Sequence, residues 1–505
     1  MQKKFEEHSD FNLSEINKQV LEEWDKNHAS ERSVSEHEGF PHFTFYEGPP
    51  SANGHPGIHH VLARTIKDTI CRYKTMKGFY VPRKAGWDTH GLPVELGVEK
   101  EMGITKDDIG KTVSIEEYNA HCRSNVMKFT AEWENLSRLI GYWVDMKRPY
   151  ITYENYYIES VWWLLHNLYS QGLIYKGYTI QPYSPAAGTG LSSHELNMPG
   201  CYRDVKDTTV TAMFRMTSPQ GAFKTDWGET YFMAWTTTPW TLPSNTALCV
   251  GPKIDYVLVN TFNPYTAQPI SVVMAEARIA SYFNPAGAEA AMENYEKGGK
   301  ILPYRVVAHF KGTDLEGLKY EQLFAYVNPG EGAFRVILGD YVSTEDGTGI
   351  VHIAPTFGAD DAFVAKKAGV PALQLIDKNG NKRPMVDLKG RFYKLEDLDE
   401  DFKQKHMNVD LYKTYAGRFV KNAYDDKLTD KDETLDISIC MELKASGLAF
   451  RIEKHVHNYP HCWRTDKPIL YYPLDSWFIR STARKERMFE LNKNIKWKPQ
   501  STGTG

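Results

Sequence analysis

Apolar positions change their period along the chain. Ile16, Val20 and Trp24 recur at helical spacing, and a short apolar run at 42–46 leads to a second helical series, Leu62, Ile66, Ile70 and Tyr73. This pattern predicts a strand, a loop rich in glycine and proline, a helix with one apolar face, and a short apolar strand beyond Gly78. Residues 114–145 read as one helix. Residues 153–170 read as another, through Ile158, Val161, Leu165 and Leu168, with Gly172 as its stop. Trp162 and Trp163 are expected in a core or between domains. From Val205 the texture shortens to β-rich runs at 208–215, 230–238, 255–260 and 270–275, separated by Gly, Pro, Asn and Asp, as an antiparallel barrel requires. The charged, irregular stretch 377–432 reads as solvated loops and short helices, and strand-like texture returns at 451–463, 469–472 and 475–479.

The loop between the first strand and its helix carries the first candidate chemistry. It reads Glu-Gly-Pro-Pro-Ser-Ala-Asn-Gly-His-Pro-Gly-Ile-His-His from residue 47. A helix N-terminus offers unpaired N–H groups and a positive dipole end, glycines let a polyphosphate approach the backbone, and imidazoles add donors. Such a loop suits ATP. Gly-Trp-Asp-Thr-His-Gly-Leu-Pro-Val-Glu follows from residue 86. Two other phosphate-loop look-alikes fail, because a Walker A ending at Gly110-Lys111-Thr112 would start at Thr105, and a dinucleotide fingerprint from Gly347 and Gly349 would need glycine at His352.

Composition narrows the class. A chain of 505 residues should hold at least two domains, and 41% hydrophobic with 25% charged residues is ordinary globular material. Mean hydropathy is -0.50, and no apolar run approaches membrane-spanning length. The first residues lead into an amphipathic helix rather than a signal-peptide core, so no export signal is expected and the cytoplasm fits best. Lys plus Arg at 60 against Asp plus Glu at 64 gives a net charge of -4, which argues against an indiscriminate polyanion binder. Six scattered cysteines, at 71, 122, 201, 249, 440 and 462, suggest neither a disulfide framework nor a CxxC site. His455, His457 and His461 are expected to be packing or surface residues.

The two quoted segments resemble the first signature of class I aminoacyl-tRNA synthetases, and their flanks resemble isoleucine–tRNA ligases in particular. The resemblance covers essentially all 505 residues. It implies an α/β fold in which an incomplete Rossmann-like nucleotide-binding domain (1–199 and 449–505) is split by an inserted, β-barrel-rich editing domain (200–448). It also implies isoleucine, tRNA for isoleucine and ATP with Mg2+ as substrates. Asp88 would anchor the substrate ammonium, Gly48 and Pro49 would shape the pocket, and Gly57 and His60 would face ATP. The family's His-x-Gly-His is Gly57-Ile58-His59-His60 here, so only His60 keeps its place, and His59 or His55 could restore the lost donor. Relatives commonly carry zinc on two CxxC pairs. Here Ser184 and Ala187 stand in the first and Cys462 alone is left in the second, so no structural zinc is expected.

The resemblance extends to a second chemistry. One methylene in an apolar pocket is worth only about 1 to 3 kcal/mol, a magnitude for which isoleucine-against-valine discrimination by this family is itself the standard example. Valine errors therefore have to be hydrolysed. Trp-Thr-Thr-Thr-Pro-Trp-Thr-Leu-Pro-Ser-Asn from residue 235 and Gly-Ile-Val-His-Ile-Ala-Pro-Thr-Phe-Gly-Ala-Asp-Asp from residue 349 resemble the two motifs of the editing pocket. Thr236, Thr237, Thr238 and Thr241 would hold a water and the terminal ribose hydroxyls while their methyls narrow the pocket, although threonines also simply favour strands. Asp361 would pair with the free α-ammonium, His352 would line the side-chain end, and Asn245 would contact backbone or ribose. No Lys-Met-Ser-Lys-Ser occurs, and the chain stops where the family continues with that loop and an anticodon-binding region, so adenylation by this piece is expected to be severely impaired. A monomer is expected. The alternatives are a valine–tRNA ligase and a noncatalytic tRNA-binding relative.

Overall fold

Local capping starts the elements of the computed structural model, which describes residues 11–504 apart from residue 430. The Asn12 side chain accepts from the Glu15 N–H and opens the helix Leu13–Lys26, and Ser114 does the same for Ile115–Val126 through the Glu117 N–H. The chain falls into two compact units, Met1–Tyr175 with Ile479–Gly505, and Lys176–Phe478. The expectation about the first residues falls outside those described.

The N-terminal unit is built on parallel strand contacts. Strand β1 (Lys84–Trp87) pairs in parallel with β2 (Asp145–Ile151), and His42 forms a parallel bridge with Tyr80. The rest of the expected strand at 42–46 runs without regular pairing. The helix Ile58–Met76 has the expected period but presents the opposite face. Leu62, Ile66, Ile70 and Tyr73 are exposed, whereas Arg64, Asp68, Cys71 and Thr75 are buried. Each polar group on that face has a partner. Arg64 donates to Ser137 Oγ (3.2 Å), Asp68 accepts from the Trp143 N–H (3.1 Å), and Arg83 donates to Thr75 Oγ1 (2.9 Å). A paired polar group is tolerated in a core where a lone one is not.

The single helix expected at 114–145 is two, Ile115–Val126 and Thr130–Leu139, followed by β2. The break follows from a competing hydrogen bond, in which the Phe129 N–H donates to Ala52 O at 2.9 Å. The next helix, Asn155–Ser170, ends as expected, with Gly172 at φ +66°. Trp162 and Trp163 on it are 67% and 66% exposed, so they are not core residues of this unit.

In the second unit, β-branched runs form the strands. In chain order these are β3 (Ile174–Ser184), β4 (Thr189–Gly190), β5 (Tyr202–Arg215), β6 (Glu229–Thr236), β7 (Ala247–Val250), β8 (Asp255–Phe262), β9 (Pro269–Ala275), β10 (Arg305–Lys311), β11 (Arg335–Leu338), β12 (Ile350–Ile353), β13 (Leu375–Ile376), β14 (Lys382–Arg383), β15 (Ala449–Pro460) and β16 (Leu470–Ile479). A six-stranded sheet has the order β10-β8-β9-β6-β5-β15, and a three-stranded one the order β11-β7-β12. The β6–β9 and β7–β11 pairs are parallel, so these two sheets are mixed where wholly antiparallel pairing was expected, and β13-β14 and β16-β3-β4 form two smaller sheets. Residues 208–214 of β5 are buried without alternation, as in a strand covered on both faces. The stretch 377–432 is only partly the solvated surface expected of it. Its charges are mostly exposed, but Phe392, Phe402, Tyr412, Tyr415 and Val420 are buried in the same apolar cluster as Phe214, Phe232, Tyr256 and Ile350. Aromatic burial outweighs the charged texture because each ring removes far more apolar area from water than a loop charge gains by exposure.

Candidate functional sites

In the N-terminal unit, Gly57 precedes the helix Ile58–Met76 and its N–H donates to His60 Nδ1 at 2.9 Å, while the His60 N–H returns to Gly57 O at 3.0 Å. The ring packs edge-on against Trp133 (4.6 Å) and beside His59 (3.7 Å). Burial, with His59 and Arg64 adding positive charge nearby, holds the His60 pKa below its ordinary value. With Nδ1 accepting, the neutral ring carries its proton on Nε2. A side chain at position 57 would meet the His59 ring, since a Cβ there lies 2.9 Å from its Cε1. The two candidates for the missing donor differ in place. Both are exposed, but His55 is engaged by Glu132 (2.6 Å) with its ring tilted against Phe129, while His59 lies beside His60.

The structure brings the Pro-Pro loop and Asp88 together. The Asp88 N–H donates to Pro50 O (3.0 Å), Ser51 Oγ donates to Asp88 O (2.9 Å), and Asp88 Oδ1 accepts from the His90 N–H (3.3 Å). Gly48 is exposed and Pro49 half-buried beside them. Sequence reasoning missed Glu47, which accepts from Lys67 Nζ (2.6 Å) and the Tyr142 hydroxyl (2.5 Å), and Arg64, whose guanidinium lies 4.9 Å from the Trp133 ring. Glu47, Pro49, Arg64, Trp87 and Tyr142 line a hollow of about 20 Å³, room for a water-sized group. Glu47 stood inside the quoted motif, so its acidity next to a phosphate loop was the available signal.

The second site lies wholly in the other unit. Thr236 ends β6, its hydroxyl 3.3 Å from that of Thr238 and accepting from the Thr238 N–H at 3.1 Å. Thr237 is half-buried between them. A short 3-10 turn, Pro239–Ser244, follows. Within it the Thr241 hydroxyl donates to Thr238 O (2.8 Å) and lies 3.1 Å from His352 Nε2, on β12. The hydroxyl proton is thus used on Thr238, so Nε2 carries the imidazole proton and Nδ1, buried with no protein partner, is the free lone pair. Burial pushes the His352 pKa down to about 4, which keeps the ring neutral.

Asp361 enters from the third position of the helix Ala359–Ala368, and its Oδ2 accepts from the Ala354 N–H at 2.8 Å. Burial, with Asp360 adding repulsion, pushes its pKa up to about 7. An approaching ammonium would reverse that shift. Asn245 has a different place. Its amide donates to Ala247 O (2.8 Å), its Oδ1 accepts from the Tyr320 hydroxyl (2.6 Å), and it is 2% exposed, so in the protein alone its polar atoms bond to the surrounding framework. The buried Thr356 hydroxyl, without a partner, and Asp436, which accepts from the Trp240 N–H at 2.9 Å, were not foreseen. Thr356 lay in the quoted motif, whereas Asp436 is 196 residues from Trp240 and gave no signal.

At the broken CxxC positions, the Ser184 hydroxyl accepts from the Ala187 N–H (3.2 Å) and Cys462 is fully buried. Among the described residues no group of three or more His, Cys, Asp or Glu is placed to hold a metal ion. His457 lies 3.2 Å from Asp207, His461 Nδ1 lies 2.9 Å from Tyr459 O, and His455 packs edge-on with Trp235. No helix among the described residues is long and apolar enough to cross a membrane.

The model of the class I tRNA synthetases (I, L, M and V) matches residues 19–504, and the chain belongs to that family. Similar relatives include isoleucine–tRNA ligases of Bacteroides fragilis (71% identical over 505 residues), Porphyromonas gingivalis (65% over 506) and Bacteroides thetaiotaomicron (63% over 527). Each alignment takes in 100% of this chain but only 44% or 45% of the relative, so the chain spans less than half the length of the curated relatives it matches. A solved structure described as that of GlLeuRS-CP1 aligns with 49% of the chain at 13% identity and a TM-score of 0.29, too slight a likeness to define a fold.

Proposed function

We propose that the protein is an isoleucine–tRNA ligase. It joins isoleucine to its tRNA through an isoleucyl-adenylate made from ATP with Mg2+, and its inserted domain hydrolyses valyl-tRNA. The Rossmann-like nucleotide-binding part is read as 1–199 with 449–505, and 200–448 as the β-barrel-rich editing insertion. His60 and Gly57 face ATP, with His59 as the replacement donor, and the amino-acid contacts fall to Gly48, Pro49 and Asp88. The enzyme works as a cytoplasmic monomer, without structural zinc in this stretch.

One observation carries the editing reading. Two segments far apart in sequence converge, with Thr241 on His352 across 111 residues and Asp361, from the same segment as His352, tied to the backbone two residues beyond it. In the reaction a water held by the threonine hydroxyls attacks the ester carbonyl, and the bond to the ribose oxygen breaks. The water's proton passes to that oxygen, leaving free valine and uncharged tRNA. Asp361 pairs with the ammonium, and the neutral His352 meets the side chain. Positioning is the main contribution. The test is release of valine and isoleucine from isoleucine-accepting tRNA by this 505-residue chain, with Asp361→Ala as control. Selective valine release is expected, and release of neither by a folded chain that binds the tRNA end would overturn the assignment.

A further inference from the structure

Asp436 is 3% exposed, on the helix Leu435–Ala445, and its Oδ1 accepts the Trp240 N–H at 2.9 Å. Trp240 is the second residue of the Pro239–Ser244 turn, and proline has no N–H, so this is the first donor the turn can offer. The other oxygen of Asp436 faces Lys421 Nζ at 3.7 Å. Lys421 in turn lies 2.8 Å from Asp207, which also meets His457 at 3.2 Å, and sits 4.9 Å from the Tyr459 ring. Lys421 and Asp436 keep only 12% and 4% of their side-chain area in solvent. Burying such charges costs several kcal/mol per ion, and apolar side chains of similar volume would join the same elements at lower cost. An apolar cluster could not supply an acceptor aimed at one backbone N–H.

We propose that Asp436 is a positioning residue for the hydrolytic site. Through the Trp240 N–H it sets the Pro239–Ser244 turn, and with it the Thr241 hydroxyl that orients His352, while Lys421 and Asp207 hold its carboxylate in place. The inference rests on the editing reading above. Burial pushes the Asp436 carboxyl up to about 6, with the Lys421 ammonium pulling the other way, so the acceptor is ionised at neutral pH. A turn displaced by about 1 Å is enough to cost on the order of 100-fold in rate.

The test compares valyl-tRNA hydrolysis by the wild-type chain, Asp436→Leu and Asp436→Asn, with amide hydrogen exchange read across residues 236–245. Asp436→Leu is expected to lower kcat roughly 10- to 100-fold with KM nearly unchanged, and Asp436→Asn, which keeps an acceptor oxygen, to recover most of it. The Trp240 amide is expected to be strongly protected in the wild type and to exchange faster in Asp436→Leu. An active wild type beside an equally active Asp436→Leu overturns the proposal alone, as does a Trp240 amide in the wild type exchanging like a solvent-exposed one. That last reading needs no variant and survives a misfolded mutant. A wild type that releases neither amino acid brings down the editing reading and, with it, the site Asp436 is said to position.

Discussion

The two compact units differ in how far they bury their apolar residues. In the N-terminal unit Leu62, Ile66 and Ile70 are exposed on one helix and Trp162 and Trp163 on another, while a helix face of Arg64, Asp68 and Thr75 is buried. In the second unit Phe214, Phe232, Val257, Tyr256 and Val273 are at 0% exposure, and even the charged stretch 377–432 gives its rings to the core. The difference teaches that a site can be organised by two separate means. The phosphate-loop region combines hydrogen bonds among polar groups, such as Glu47 with Lys67 and Tyr142, with a small apolar cluster of Ala52, Trp87 and Trp133, whereas the threonine site is set into a much larger apolar body.

That contrast is sharpest in stability. Phe232→Ala should cost the second unit about 3 to 5 kcal/mol in urea unfolding, whereas Ile66→Ser, on the exposed face of the N-terminal helix, should change stability by about 0.5 kcal/mol or less. Equal losses would break the comparison. Next in size, Asp361→Ala should reduce valine release from tRNA on the order of 100-fold, about 2.7 kcal/mol of barrier, without unfolding the unit. Single-turnover deacylation measures this, and an unimpaired variant would remove Asp361 from the site.

A third, smaller effect follows from protonation. Asp361 keeps its proton in the folded chain up to about pH 7, while the unfolded chain releases it near the ordinary 3.8. Between those values the folded state binds more protons, so this residue's contribution to stability falls as pH rises from about 4 to about 7. His352 acts in the opposite sense. It is neutral in the folded chain above about 4 but titrates near 6.5 when unfolded, so its contribution rises over that interval. The stability difference between Asp361→Asn and wild type isolates the first effect. It should grow with pH up to about 7 and then level off, and a flat difference would show that the carboxyl is not held protonated. The smallest expected change is at the cap of the first helix, where Asn12→Ala should cost about 1 kcal/mol or less of local helix stability, seen as faster amide exchange in residues 13–16.

Much of this was open to reading from residue order. The glycine-proline loop, the Gly-Trp-Asp segment and the two threonine and aspartate motifs are each contiguous, so their chemistry is written in neighbouring letters, and the family follows from their wording. The helical period of 58–76 and the stop at Gly172 were legible for the same reason, because both depend on residues within a turn or two. Which face of that helix is buried, the break after Val126, the framework use of Asn245 and the carboxylate of Asp436 on Trp240 were not. Each is decided by partners tens to hundreds of residues away, Ala52 for Phe129, Tyr320 for Asn245 and Asp436 for Trp240. Burial and the pairing of buried polar groups belong to the packed chain as a whole, and no local pattern specifies which distant group will satisfy a given donor.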